Sequence, residues 1–387
     1  MKIIVIGCGK IGKTIIEHVS KEGHSLVIVD NNREKVEELI ERYDVMGVVG
    51  NGASLDIQEE AGVKSADLVI AVTPEDEINI LASMVAKKLG ASSTIARVRN
   101  PEYLRQTKLM QEELGLSMVV NPEQETADEI INMVNLPSLL KLEPFAKGKV
   151  NLVEILVEEN NPLIGETLIT MSKKIKTKVL ICASHVIIPN GNFKIEQGDR
   201  LSITANASSL VTFLKELNLI KSPLKNIMII GGGKISYYLA KELSNKKYHI
   251  KLIEMNKNRA EEMAEALPKV DVICGDGTDH DLLIEEGIEA SDACIALTNV
   301  DEENIIVSMY ATRLKIKKVI AKIKRNSFLT MVNDLGIASI VSPKDIVASK
   351  IISYIRALSN KRGSNVLTLY KLVNNQVEAL EFDAKKK

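Results

Sequence analysis

The chain has 387 residues, with 45% hydrophobic, 26% charged and only 3% aromatic residues, no Trp and a formal net charge of −1. That length accommodates two or three domains with separate cores, and the charge balance and scarcity of aromatic platforms exclude a nucleic-acid partner. No apolar run reaches the 18 or so residues needed to cross a bilayer, and the N-terminus begins a strand and not a signal peptide. The expectation is a cytoplasmic protein, peripheral if it serves a membrane process.

The chain opens on Lys2 to Ile6, a β-branched run that enters Gly7-Cys8-Gly9-Lys10-Ile11-Gly12, with Ile11, Ile15, Ile16 and Val19 at helical spacing beyond it. This is a strand, a glycine turn and a helix. A second strand, Leu26 to Val29, ends at Asp30 and leads to a charged helix from Arg33 to about Arg42. Val45 to Val49, Leu68 to Val72, Thr94 to Arg99 and Met118 to Val120 read as further strands. Helices are predicted near Ser54, from Asp76 to Leu89, at Pro101, and from Pro122 to about Val134. Continuous apolar strands alternating with helices mean a parallel sheet covered on both faces.

The pattern changes around Pro137-Ser138. Strands Val150 to Glu158, Val179 to Ala183 and Leu201 to Thr204, the turns Asn161-Pro162 and Asn190-Gly191, and a helix from Ala207 to Leu217 describe a small α+β module. From Lys225 the first pattern restarts. Asn226 to Ile230 leads into Gly231-Gly232-Gly233-Lys234-Ile235-Ser236, Leu252-Ile253-Glu254 matches Ile28-Val29-Asp30, and Gly275-Asp276-Gly277 matches Gly50-Asn51-Gly52. Thr298 matches Thr73, Asp301-Glu302-Glu303-Asn304 matches Asp76-Glu77-Ile78-Asn79, and Ser342-Pro343 matches Asn121-Pro122. A near-constant offset across these matches identifies duplication of a whole domain. Past a helix from Lys344 to about Leu358, Val366 to Leu372 and Val377 to Phe382 read as strands that begin a second, truncated copy of the small module. Lys385-Lys386-Lys387 reads as a solvated tail.

The fold class expected is α/β: two Rossmann-like doubly wound parallel-sheet domains with a small α+β module between them.

The first glycine turn satisfies two motifs. Gly7-x-Gly9-x-x-Gly12 fits the dinucleotide fingerprint, while Gly7 to Thr14 also fits the phosphate-loop pattern G-x-x-x-x-G-K-[ST]. The duplication decides between them. Ser236-Tyr237-Tyr238 replace Gly12-Lys13-Thr14, so the lysine and hydroxyl of a phosphate loop are absent from the second copy, whereas its glycines and an acid persist. Asp30 lies where an acid accepts hydrogen bonds from ribose hydroxyls and repels a 2′-phosphate, favouring NAD or an adenosine nucleotide over NADP. A helix N-cap is the compatible structural alternative.

Four cysteines, Cys8, Cys182, Cys274 and Cys294, form no C-x-x-C pair. The last three lie in apolar strand-like stretches and are expected to be buried thiols, while Cys8 contributes its backbone N–H to the turn. The histidines His18, His24, His185, His249 and His280 show no metal-ligand spacing. Tyr237-x-x-x-Lys241 mimics a dehydrogenase pair but lies in the wrong helix. Arg97 and Arg99 end a strand whose counterpart carries Lys322 and Lys324, and carboxyl strand ends are where such sheets bind ligands. No nucleophile or proton shuttle stands out.

With these residues in view, the chain resembles the family of cytosolic regulators of Trk potassium-uptake systems built from tandem RCK (KTN) domains. The resemblance rests on Gly7 to Gly12, Asp30, Gly50-Asn51-Gly52-Ala53-Ser54, Ala71-Val72-Thr73, Ala96 to Arg99 and Asn121-Pro122. Asn161-Pro162-Leu163-Ile164-Gly165 and Ile195-x-x-Gly198-Asp199-x-Leu201 add to it in the small module. Departures are Ser236 for the third glycine, Glu254 for Asp, and the incomplete final module. The resemblance implies an N-terminal RCK domain at 1–136, its C-terminal module at 145–220, a second N-terminal domain at 225–360 and the start of a second module at 361–387. It implies NAD(H), and also ATP or ADP, at the glycine turn. Gly7, Cys8, Gly9, Lys10 and Ile11 would hold phosphates with Gly12 closing the turn, and Asp30 the ribose. Asn51 and Gly52 would flank the adenine, with Thr73, Pro74 and Arg97 opposite. Gly231, Gly232, Gly233, Lys234, Ile235, Glu254, Asp276, Thr298 and Asn299 would form the second site. The implied partners are a potassium-conducting Trk-type membrane subunit and further copies of the chain in a homo-oligomeric ring. The implied role is regulation, not catalysis. The alternatives are a regulatory subunit of another cation channel or exchanger, and an NAD-dependent oxidoreductase.

Overall fold

The computed structural model describes residues 1–135, 139–145, 150–157, 159, 161–177, 179–184, 188–217, 224–246, 248–335, 337, 339–360, 366–372 and 377–382. Pro137-Ser138, Glu158, His185 and the terminal lysines, which the sequence singles out, lie outside these residues. The chain divides into two compact units, one of Met1–Glu125 with Ser342–Ser364 and one of Thr126–Val341 with Asn365–Lys387.

In the first unit β1 (Lys2–Ile6), α1 (Lys10–Val19), β2 (Ser25–Asp30), α2 (Arg33–Arg42), β3 (Met46–Val49), α3 (Leu55–Glu60) and β4 (Leu68–Ala71) follow one another. Then come α4 (Asp76–Leu89), β5 (Ser93–Arg97), α5 (Pro101–Leu104), α6 (Thr107–Glu112), β6 (Met118–Val120) and α7 (Pro122–Asn135). The six strands run parallel in the order β3-β2-β1-β4-β5-β6, so the order reverses between β1 and β4. Ligands of doubly wound sheets bind in the crevice at that reversal. Alternate residues of each strand serve opposite cores. Ile3, Val5, Ile28 and Ile70 enter one buried cluster, and Ile4, Ile6, Val27 and Val29 the other.

The second unit holds the end of α7 and a four-stranded antiparallel sheet of order β7-β8-β10-β9, built from β7 (Leu139–Phe145), β8 (Val150–Leu156), β9 (Leu180–Ser184) and β10 (Arg200–Ala205). α8 (Leu168–Lys174) and α9 (Ala207–Glu216) accompany it, and Phe213 is its largest fully buried side chain. The parallel architecture then repeats through β11 (Asn226–Ile230), α10 (Lys234–Ser244), β12 (His249–Glu254), α11 (Lys257–Ala266), β13 (Asp271–Cys274), α12 (His280–Glu285) and β14 (Ala293–Ala296). It continues with α13 (Asp301–Arg313), β15 (Lys318–Lys322), α14 (Leu329–Asp334) and β16 (Ser339–Val341). Its order, β13-β12-β11-β14-β15-β16, is that of the first sheet. The fold class expected from the sequence is thus the one observed. β17 (Val366–Leu372) and β18 (Val377–Phe382) pair antiparallel.

The last helix of each copy departs from the order of the repeat: α7 belongs to the second unit from Thr126 on, and α15 (Pro343–Asn360), which follows the last strand of the second copy, to the first. Its stripe of Val347, Ala348, Ile351, Ile352 and Ile355, spaced for one helical face, enters the buried cluster that contains Ile11, Ile15, Ile16 and Val19 of α1. Two ion pairs flank the stripe, Lys350 with Glu125 and Arg356 with Glu22. Burial of this stripe is the larger effect, because Val347, Ile351, Ile352 and Ile355 each contribute roughly 1.5–3 kcal/mol and a partly exposed ion pair at most about 1 kcal/mol.

Candidate nucleotide sites at two glycine turns

The first turn is set by sterics. Gly7 sits at φ +102°, and a Cβ there would lie 2.8 Å from the Thr73 nitrogen. A Cβ on Gly12 would lie 2.0 Å from the Gly7 carbonyl oxygen. Both glycines allow the chain to reverse tightly between β1 and α1, with Gly9 as the helix N-cap. The Ile11 side chain is buried in the core, so only its backbone faces outward, while Lys10 is exposed at the first helical position. Lys13, which the phosphate-loop reading would need on a phosphate, pairs instead with Glu38 at 2.7 Å.

Asp30 closes over this turn. Its Oδ2 accepts the Cys8 N–H at 2.6 Å and its Oδ1 the Asn32 N–H at 2.9 Å. Asp30 does not cap the following helix. Asn32 does, accepting the Lys35 N–H, because it stands directly before the first helical residue and Asp30 is still in the strand. Burial and then the neighbouring Asp30 carboxylate push the Cys8 thiol up to about 12, so Cys8 acts at neutral pH through its backbone and not as a thiolate.

The second turn repeats the arrangement with different side chains. Gly231 lies at φ +96°, Gly233 is the helix N-cap, Ile235 is buried and Lys234 is exposed. Glu254 accepts the Gly232 N–H at 2.5 Å and the Asn256 N–H at 2.9 Å. Ser236, in the place of Gly12, is fully buried and donates its hydroxyl to the Gly231 carbonyl. The Arg259 guanidinium makes bonds that have no counterpart in the first copy among the described residues: its Nε donates to the Gly232 carbonyl at 2.8 Å and its Nη1 to Glu262 at 2.8 Å.

The loops beyond β3 and β13 split their residues. Asn51 and Asp276 are exposed, each accepting from an N–H two residues on, Ala53 and Thr278. The Thr278 N–H and then its hydroxyl hold the Asp276 carboxyl below its ordinary range. Gly52 and Gly277 are buried instead. A Cβ on either would lie 2.1 Å from Ile6 or 2.3 Å from Ile230, so strand packing accounts for these glycines. Cys274 was expected to be buried and is exposed, because it ends the edge strand β13, directly paired with Glu254. Cys182 is half-buried, and Cys294 is buried as expected.

Across the reversal, Thr73 and Pro74 begin the loop after β4. A buried Asn79 organises it, accepting from the Thr73 N–H at 2.7 Å and hydroxyl at 2.8 Å and donating to the Thr73 and Arg97 carbonyls. Asn304 likewise accepts the Thr298 N–H and donates to the Thr298 and Lys322 carbonyls, while the Thr298 hydroxyl donates to the Val300 carbonyl and Asn299 is exposed beside them. Asp76 accepts the Arg99 and Asn100 N–H groups, and Asp301 those of Lys324 and Arg325. The sequence presents these residues only as a repeated D-E-x-N; their role needed the fold. Arg99 is committed to Glu123, at 2.7 Å from Nε. Arg97 is different: its Nε and Nη2 are buried without a hydrogen-bond acceptor among the described residues, and burial, then the charge of Arg99, pull its pKa down. Lys322, its counterpart, is 5% exposed and donates to the Leu297 carbonyl at 2.8 Å. Lys324 likewise donates to the Asn299 carbonyl at 2.6 Å.

Glycine turns that offer backbone N–H groups beside an acid at the end of the second strand fit a nucleotide, and in the first copy Arg97 adds unsatisfied donors at the far rim. Among the described residues no group of three or more His, Cys, Asp or Glu could hold a metal ion, and no helix is long and apolar enough to cross a membrane.

Fold and sites together define a protein of two tandem Rossmann domains with a small α+β module between them. The TrkA-N domain family model matches residues 3–122 and 227–343, and the TrkA-C domain model residues 152–218. The chain is 34% identical to the Trk system potassium uptake protein TrkA of Vibrio alginolyticus, over 98% of this chain and 83% of that protein. It is 32% identical to the TrkA of Haemophilus influenzae, with the same coverage. Among solved structures the GsuK channel superposes with a TM-score of 0.69 at 20% identity, covering 94% of this chain and 64% of the channel. The GsuK channel bound to NAD gives 0.68 at 20% identity, covering 95% and 66%. This chain therefore spans slightly less than two thirds of that channel's length, and the likeness is one of fold. The chain belongs to the TrkA family.

Proposed function

We propose that the chain is the nucleotide-binding regulatory subunit of a Trk-type potassium uptake system, working at the inner face of the membrane on a potassium-transporting partner. The observation that carries this reading is the repeated clamp, Asp30 on the Cys8 N–H and Glu254 on the Gly232 N–H, in a chain whose relatives are named potassium uptake proteins. NAD(H), ATP and ADP are the ligands, with the GsuK structures bound to NAD and to ADP as fold-level support.

In each site the turn's N–H groups would hold the phosphates, and Asp30 or Glu254 the ribose hydroxyls. A carboxylate oxygen has two lone pairs, so Asp30 can keep the Cys8 N–H and still accept from a ribose hydroxyl. Arg97, with two buried donors unsatisfied, supplies a charged group for the far side of the first site. A nucleotide then acts only through its differential affinity for two arrangements of a homo-oligomeric assembly. Regulation and not turnover is the role this reading assigns.

The test joins binding to transport. The chain is expressed with candidate Trk-type membrane subunits in a potassium-uptake-deficient host, and co-purification and rubidium uptake are measured for wild type and Asp30→Ala. Co-purification with uptake that depends on Asp30 supports the reading. Association with a different cation transporter, or nicotinamide turnover with a small substrate, overturns it.

A further inference from the structure

Gly232 is held from both sides. Its N–H goes to the Glu254 carboxylate and its C=O receives the Arg259 guanidinium, so an acid and a cation stand on either side of one peptide residue in the second glycine turn. Arg259 occupies the first turn of α11, directly after the acid's loop, and Asn256 caps that turn by accepting the Arg259 N–H. Its Nε and Nη1 are committed to Gly232 and Glu262, while Nη2 has no protein acceptor among the described residues, and the side chain is 36% exposed. The residue at the same place in the first copy is Lys35, whose ammonium makes no hydrogen bond among the described residues. An ammonium on a flexible stem is a mobile point charge, whereas a guanidinium pinned at one edge presents its remaining N–H groups in a fixed direction.

We propose that Arg259 is a phosphate-reading residue of the second site. It would hold an oxygen of an adenosine nucleotide's phosphate through Nη2 while Glu254 takes the ribose, giving the second copy a fixed contact where the first has the mobile ammonium of Lys35. The inference rests on the nucleotide reading of the second turn. The ligand class follows from the pairing: a vicinal diol suits the carboxylate, and an anion beside it suits the guanidinium.

The structure also supplies the readout. Cys274 is the exposed thiol among the four cysteines and pairs across the sheet with Glu254, so a nucleotide held by Glu254 is expected to shield it. Alkylation of Cys274 in the full chain, followed by peptide mass spectrometry, is titrated with adenosine and with ADP for wild type, Arg259→Gln and Arg259→Lys. The expected result is that Arg259→Gln raises the half-protecting ADP concentration about tenfold, the loss of one charge-assisted hydrogen bond. Adenosine protection stays unchanged, and Arg259→Lys falls between. Equal ADP protection in all three proteins, or equal loss for adenosine and ADP, overturns the proposal while leaving the second site standing. Failure of ADP to protect wild-type Cys274 removes the second site itself, and this inference with it.

Discussion

The Gly232 N–H lies 2.5 Å from the Glu254 carboxylate, and the Cys8 N–H lies 2.6 Å from that of Asp30, so a side chain one methylene longer ends at almost the same distance from its turn. The second turn accommodates the extra length by giving up a side chain. A Cβ on Gly232 would meet Glu254 Oε2 at 2.9 Å and Cγ at 3.1 Å, and the first copy, with the shorter Asp30, has Cys8 in that place. Acid and turn residue form a matched pair in each copy. Gly232→Cys alone is expected to push Glu254 aside, at about 1–3 kcal/mol, and to weaken nucleotide binding at the second turn. Adding Glu254→Asp should restore most of the loss. A double-mutant cycle on thermal stability and ADP affinity checks this, and strict additivity would contradict it.

The third position of the fingerprint gives a second test. Gly12 and Ser236 are equivalents, but the Gly12 site has its Cβ position 2.0 Å from the Gly7 carbonyl oxygen, where Ser236 instead bonds the Gly231 carbonyl. The first turn is therefore the tighter one. Gly12→Ser is expected to destabilise the protein by about 1–3 kcal/mol, and Ser236→Gly by less than about 1 kcal/mol. Urea denaturation of both variants measures the difference, and equal costs would contradict the asymmetry.

Asn79 joins the loop after β4 to the end of β5 on one side of the crevice, and its removal should show in both folding and binding. Asn79→Ala removes a fully buried side chain and leaves the part-buried Thr73 N–H and Arg97 carbonyl without their partner, at about 1–3 kcal/mol in all. Differential scanning fluorimetry should report a lowered Tm, and nucleotide affinity should fall because the Thr73 loop and the Arg97 strand end lose their common anchor. An unchanged Tm would refute this role.

Asp292 sets an acid limit on the second copy. Burial alone would raise its pKa, but the Lys317 ammonium and the Asn226 and Lys225 N–H groups outweigh it and hold the carboxyl at about 2, against an ordinary value of 3.8. A depressed folded-state pKa stabilises the protein above the unfolded value, and the contribution is lost as pH falls from about 3.8 through about 2. Thermal melts between pH 5 and pH 2 should therefore show a shallower loss for Asp292→Asn than for wild type. Parallel curves would contradict the assignment.

Much of this was legible in the residues. Apolar strands alternating with helices fix a parallel sheet, and the repeated offset fixes two of them, because buried β-branched runs and glycine turns tolerate few alternatives. The acids at Asp30 and Glu254 were equally visible, since the strand end before each is unmistakable. What the sequence hid depends on long-range packing. α15 is continuous with the second copy in sequence, and nothing in its stripe of Val347 to Ile355 says that α1 of the first copy is its partner. Asn79 looks like any polar residue in a helix until the β5 strand end is brought against it. Cys274 looks buried because its strand is apolar, but an edge strand leaves its last side chain to solvent. Gly52 pointed to a ligand by its motif, whereas Ile6 packed beneath it is reason enough for a glycine.

The central claim, a nucleotide at each glycine turn held by its acid, is tested most directly by calorimetric titration of the purified chain with NADH, NAD, ATP and ADP, beside Asp30→Ala and Glu254→Ala. The account predicts binding below millimolar concentration and a loss of about tenfold or more at one site when each acid is removed, two sites failing independently. No binding of any of the four below millimolar concentration, or binding that neither substitution changes, would contradict it.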